Sequence, residues 1–219
     1  MIKTNAKIDE LIQKSTLRIN NSINDPDISA SLSQFGYTPE KLGTGKLILN
    51  DAITANQTYY KEYGDVAKAQ ESKTNELEQS QQEYLQHLSI CRVVFKNDLD
   101  AYFTLKLNGK RERTFSSAIN QMINFYQILL DNEVWLGKAS NFGCTAERLE
   151  SSLNKVNQTA NYQQKIMLEK GEAQQATVDR DIMVDRLNDW MHDFKQIAKV
   201  ALYDKPQLLE KLQIIVKKK

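Results

Sequence analysis

Apolar residues recur at intervals of three and four along most of this chain, and the stretches where they do so come in pairs. Ile8, Leu11 and Ile12, then Ser15, Ile19 and Ile23, form one such stripe; Phe115, Ala118, Ile119, Met122, Ile123, Tyr126, Leu129 and Leu130 form another. This spacing places the apolar side chains on one face of an α-helix, so an amphipathic helix is predicted at both places. A cap signal follows each, Asn24-Asp25-Pro26-Asp27-Ile28 and Asp131-Asn132-Glu133-Val134-Trp135. There an acid or amide side chain can accept the free N–H groups of a helix start, and Pro or Glu suits the first turn. The short helices that result are predicted to stop at Gly36 and Gly143, where a residue without Cβ can take the left-handed conformation. Thr38 and Thr145 then cap the next helices.

From Leu42 the three/four spacing continues through Leu49, Ile53, Tyr60, Tyr63 and Ala67, thins over Gln70 to Glu76, and resumes at Leu77, Tyr84, Leu88, Cys91 and Phe95. A second series runs through Leu149, Leu153, Val156, Ala160, Met167, Val178, Ile182, Trp190, Phe194, Ile197 and Ala201. Two structures fit each series. One is a single helix of more than 50 residues, roughly 80 Å long at 1.5 Å per residue. The other is a long antiparallel helix hairpin, with its turn between Gly64-Asp65 and Glu76 in the first series and at Gly171-Glu172 in the second. The sequence favours the hairpin, because the polar stretch has no apolar face to bury and a glycine inside a helix costs ~1 kcal/mol. Short capping helices, Leu99 to Leu107 and Pro206 to Val216, are predicted to close each series, with Asn97 and Asp204 as N-caps. The segment Asn108-Gly109-Lys110-Arg111-Glu112-Arg113-Thr114 reads as a boundary.

The paired elements stand 107 positions apart. At that offset Ser33-Gln34-Phe35-Gly36-Tyr37-Thr38-Pro39-Glu40-Lys41-Leu42 falls on Ser140-Asn141-Phe142-Gly143-Cys144-Thr145-Ala146-Glu147-Arg148-Leu149, with six identities in ten. Asn50 pairs with Asn157, Gln57 with Gln164, Glu62 with Glu169 and Gly64 with Gly171, without a gap. The expectation is an all-α fold made by tandem duplication of a ~107-residue helical-bundle unit, residues 1–107 forming the first repeat and 108–219 the second. A pseudo-twofold or a simple translation could relate them.

Composition agrees and narrows the class. Only 8 Gly and 3 Pro in 219 residues leave little for the turns of an all-β fold. With 29 basic and 28 acidic residues the net charge of +1 supplies no global field toward nucleic acid or an anionic membrane. Cys91 and Cys144 face Ala198 and Tyr37 at the repeat offset, so no disulfide framework is expected and reduced thiols fit a cytoplasmic protein. Residues Met1 to Lys7 lack the apolar segment of a secretory signal, and no run approaches the length of a membrane span.

Candidate chemistry is sparse. His87 has Glu83 one turn before it, and His192 has Asp189 three residues before and Asp193 beside it; with Glu62 and Glu169 on the preceding segments these are the ingredients of a di-metal carboxylate bundle. Such a site asks for Glu-x-x-His on both helices, and neither Glu83-Tyr84-Leu85-Gln86-His87 nor Asp189-Trp190-Met191-His192 supplies it. Surface or partly packed histidines are the plainer reading. Gly43-Thr44-Gly45-Lys46 lacks the strand and the full spacing of a phosphate loop. Lys106, Lys110, Arg111 and Arg113, with Lys217, Lys218 and Lys219, could contact phosphates, though short basic runs in loops and termini are mostly solvated. Tyr60 and Tyr63, with Tyr59 beside them, read as bundle core, as do Trp190 and Phe194. Trp135, in a short helix, is a candidate interaction anchor if exposed. No catalytic, cofactor-binding or metal-ligating residue is assigned, and no cofactor.

Phe35 to Leu42, Leu105 to Thr114 and Tyr203 to Leu212 resemble stretches of an uncharacterised family of bacterial, wholly helical proteins of about this length. The resemblance spans nearly the whole chain, implies the helical fold, and brings no activity with it. The function expected is that of a non-enzymatic helical scaffold or protein–protein interaction protein, binding a protein partner or a second copy, with no membrane and no small-molecule ligand. A di-metal protein using His87, His192, Glu62 and Glu169, and a weak nucleic-acid binder using the basic linker and tail, are the alternatives.

Overall fold

The computed structural model describes residues 4–214. The described residues form eight α-helices and no strand, in the order α1 (Asn5–Asn24), α2 (Pro26–Ser33), α3 (Pro39–Val94), α4 (Leu99–Thr104), α5 (Phe115–Asp131), α6 (Glu133–Ser140), α7 (Ala146–Ala201) and α8 (Pro206–Lys211). No helix among them is long and apolar enough to cross a membrane. The chain forms two compact units, the first from Met1–Tyr63 with Gly171–Lys219 and the second from Gly64–Lys170. Each unit thus draws on both sides of the 108–114 segment, a partition different from that of the sequence halves 1–107 and 108–219.

The local signals act through the chemistry that suggested them. The Asp25 carboxylate accepts from the backbone N–H groups of Asp27 and Ile28, with Pro26 in the first turn, and the Asn132 amide accepts from that of Trp135. Gly36 and Gly143 take φ of 82° and 89°, the left-handed region open to glycine. This geometry lets the N–H groups of Tyr37 and Cys144 reach back to the carbonyls of Leu32 and Ala139 at 3.1 and 3.2 Å and close α2 and α6. The hydroxyls of Thr38 and Thr145 then accept from the N–H groups of Lys41 and Arg148.

The short helices differ in detail from expectation. Asp98, not Asn97, caps α4 through the Ala101 N–H, and α8 starts after Lys205 with no side-chain cap bond. Both end three residues or more before the predicted limits because Lys106 and Gln213 adopt φ of 49° and 51°, which turns the chain out of the helix. Val216 lies outside the described residues.

The hairpin expectation is overturned. α3 and α7 each run unbroken for 56 residues through Gly64 and Gly171. Neither glycine has positive φ, and a Cβ at either would meet nothing within 4 Å, so each is an ordinary helical residue. The ~1 kcal/mol one glycine costs is outweighed by the strong helix formers around it, such as Ala67, Lys68, Ala69, Gln70 and Glu71, and no Pro intervenes. Nor does the polar stretch lack partners. Ala69 is buried, Lys73 Nζ donates to Gln163 Oε1 at 2.6 Å and stands 4.0 Å above the Phe115 ring, and the hydroxyls of Ser80 and Thr159 meet at 3.3 Å.

The buried row of α3 in the first unit also runs differently from the predicted stripe. Tyr60 and Tyr63 are exposed, whereas Ala52 and Asn56 are buried. The Arg180 guanidinium lies 3.8 Å over the half-buried Tyr59 ring and donates to the Asn5 side chain, while Asn56 and Tyr60 both donate to the Asp9 carboxylate. The first core centres on Ile19, Leu32, Tyr37, Leu42, Met191 and Phe194. The second centres on Leu88, Phe95, Leu105, Met122, Tyr126 and Leu149, and Trp135 belongs to it, edge-on to Phe95 at 6.3 Å, so it is no exposed anchor.

Candidate functional site in the second unit

Positions 107 apart are filled in opposite ways in the two cores. In the first unit the Trp190 ring rests directly on Gly45, close enough that a Cβ there would lie 2.3 Å from the indole. Trp190 stacks on Phe194 with centroids 5.5 Å apart, and Tyr37 stands edge-on to both rings. Ile19, Ile48 and Ala198 complete an apolar centre. Adding 107 gives Ser152 for Gly45, Cys144 for Tyr37, Tyr126 for Ile19 and Lys155 for Ile48; subtracting 107 gives Glu83 for Trp190, His87 for Phe194 and Cys91 for Ala198. In the second unit these counterparts are polar, and they pair among themselves in small sets.

Helical spacing assembles them. Glu83, His87 and Cys91 follow one another at intervals of four on one face of α3, and Ser152 and Lys155 stand three apart on α7. Glu83 accepts from Lys155 Nζ at 2.8 Å through one carboxylate oxygen and from the Ser152 hydroxyl at 3.1 Å through the other. His87 Nδ1 and the Tyr126 hydroxyl share a hydrogen bond of 3.2 Å. The left-handed turn at Gly143 brings Cys144 into the same core as Cys91, and both thiols are free and buried.

The electrostatics follow from that burial. Burial pushes Glu83 upward, but the hydrogen bonds and charge of Lys155, with Ser152, outweigh it and hold the carboxylate below its usual range. Burial lowers the pKa of His87, with Arg148 adding to the effect and Glu83 opposing it, so the imidazole is neutral at pH 7. Tyr126 is raised by burial. The two thiols perturb each other: the neighbouring Cys144, together with burial, raises Cys91, while Cys91, with help from Arg148, lowers Cys144.

No family model, no curated protein and no solved structure matches this chain.

The cluster contains an acid, an amine, an imidazole, a phenol, a hydroxyl and two thiols, yet neither thiol nor the serine hydroxyl is paired with the imidazole. Ser152 donates to a carboxylate already bound to Lys155, and the His87 nitrogen is turned to Tyr126 rather than to a thiol. His192, Asp189 and Asp193 are exposed in the first unit, whereas His87 belongs to the second. Among the described residues no group of three or more potential metal ligands includes a histidine. Glu62 pairs with Lys61 in the first unit, and Glu169 is half-buried in the second. Gly43 to Lys46 lie inside α3, so no phosphate loop exists there. Arg111 is engaged with carbonyl groups and Tyr84, and Lys217 to Lys219 lie outside the described residues. The thiol pair was not anticipated. A signal lay in the 107-residue offset, since Tyr37 and Ala198, which stand at that offset from Cys144 and Cys91, belong to one core.

The neutral His87 sets a testable pH dependence. Its folded pKa lies below the ordinary value of 6.5, so its contribution to stability is complete above that value. As pH falls below 6.5 the unfolded chain takes up a proton that the folded one refuses, and stability declines toward the folded pKa. H87F, which installs the residue found at the counterpart position 194, is expected to show a shallower loss between neutral and mildly acidic pH in chemical denaturation. Equal slopes for the two proteins would contradict the assignment.

Proposed function

We propose that this chain is a non-enzymatic, cytoplasmic helical binding protein, built by tandem duplication of a ~107-residue unit, that presents apolar side chains to a protein partner or a second copy. The duplication is supported by element bounds: α2, α3 and α4 begin and end 107 positions before α6, α7 and α8. One observation carries the binding role. At the repeat offset, large apolar side chains are exposed in both units, Phe35 and Phe142 at 45% and 59%, and Val93 and Val200 at 63% and 58%. A scattered exposed apolar residue is ordinary, but the same aromatic and aliphatic positions left in water twice are sites kept for contact. The polar cluster of the second unit then distinguishes two otherwise similar frames.

F35S/F142S tests this reading, because both rings are solvent-facing and the fold is expected to survive. Sedimentation across a concentration range, together with affinity capture from the source cell, is expected to show self-association or a defined partner for the wild type and its loss in the variant. Monomeric behaviour of both proteins with identical captures would remove the proposal.

A further inference from the structure

The second unit has a groove of about 580 Å³ between the 110–113 segment, α3 and α5, and this is independent of the exposed phenylalanines. Its apolar lining comes from Leu85, Ala118 and Met122, and Gln81 and Gln121 border it. One wall is a constructed loop. Arg111 Nη2 donates to the carbonyl oxygens of Lys106, Asn108 and Gly109 at 3.0 to 3.1 Å, and Nη1 donates to the Tyr84 hydroxyl. Lys106 and Gly109 both have positive φ, and the Glu112 N–H is held by Gln121 Oε1 at 3.2 Å. One guanidinium therefore pins the loop against α3.

That arrangement fixes the backbone that carries the two neighbouring cationic residues. Lys110 and Arg113 line the groove, are exposed, and form no ion pair or hydrogen bond among the described residues. With Arg111 and the single acid Glu112 the wall carries a net charge of about +2 beside an apolar floor. A rigid loop that holds cations at the mouth of an apolar groove lowers the ordering cost of binding. We propose that this groove binds a small organic anion, an acidic group attached to an apolar body, with Lys110 and Arg113 facing the charge and Leu85 and Met122 the body. Arg111 positions the wall and is not the recognition residue.

The probe is phenyl phosphate, titrated into the millimolar range against the full-length ¹⁵N-labelled protein and followed by amide shifts. Inorganic phosphate and benzyl alcohol, each carrying half of the chemistry, run alongside. Saturable shifts at Gln81, Leu85, Arg113 and Gln121 are expected with phenyl phosphate, and binding about tenfold weaker or undetectable with either half. K110A/R113A should weaken phenyl phosphate about tenfold while leaving the remaining spectrum in place, since neither side chain has a partner among the described residues, and added salt should weaken it in the wild type alone. Absent or scattered shifts, inorganic phosphate binding as well as phenyl phosphate, or an unaffected double variant would each overturn the site. So would an oligonucleotide that shifts these amides where phenyl phosphate does not.

Discussion

Gly45→Ala is expected to destabilise the first unit by about 2 kcal/mol, whereas Gly43→Ala, two residues earlier in the same helix, is expected to stabilise it by about 1 kcal/mol. Both positions are helical, so alanine's higher propensity favours each substitution equally. The difference is what a Cβ meets. At Gly43 nothing lies within 4 Å, while at Gly45 three atoms of the Trp190 indole lie at 2.3, 2.4 and 2.8 Å. The ring cannot swing aside, because Phe194 is stacked against it at an interplanar angle of 9° and Tyr37 blocks it edge-on. Overpacking of this kind costs about 1–3 kcal/mol and sometimes more, which exceeds the propensity gain. Denaturation of the two single variants checks the sign. W190L should rescue Gly45→Ala in a double-mutant cycle, and equal effects at positions 43 and 45 would refute the close packing.

Arg18→Ala is expected to cost about 2 kcal/mol and to release the last turn of the described chain. Arg18 is buried on α1, where Nε donates to the Leu212 carbonyl at 3.0 Å and Nη2 to that of Gln213 at 3.1 Å. These are the open carbonyl groups at the end of α8, so one planar fork satisfies both. Among the described residues no acid pairs with its charge. Burial lowers the pKa of Arg18, and Lys195 is lowered by burial and then by Arg18, Lys199 and Lys14. Loss of two charge-assisted hydrogen bonds is thus offset in part by removal of an uncompensated buried cation, which sets the modest net figure. Arg18→Lys, which keeps the charge but replaces the planar fork of spaced nitrogens with a single one, should recover little. Hydrogen exchange over residues 206–214 is the measurement, and protection there unchanged in Arg18→Ala would exclude the anchoring role.

Local chemistry was legible wherever it is decided within a few residues. The caps at Asp25 and Asn132, the left-handed glycines at 36 and 143, and the threonine caps after them all stand where their residue types placed them. The long helices were misread because a glycine and a polar stretch look alike in a turn and in a helix whose polar residues find partners. Lys73 with Gln163, and Ser80 with Thr159, are such partners, more than 70 residues apart in each pair. Tyr60 and Tyr63 were misassigned for a related reason: several faces of one helix satisfy a three/four spacing, and the face used was settled by Asp9, Asn5 and Arg180 packing around Asn56 and Tyr59.

The candidate site divides along the same line. The sequence alone determined that the chain is helical, where most of its shorter helices begin, and that elements recur at an offset of 107, because propensity, capping and periodicity are short-range. Only the tertiary structure decided that α3 and α7 are continuous, that Cys91 lies against Cys144, and that Glu83, Ser152 and Lys155 form one cluster. Those outcomes rest on side chains brought together across long sequence separations, where burial turns an ordinary serine or lysine into a required partner.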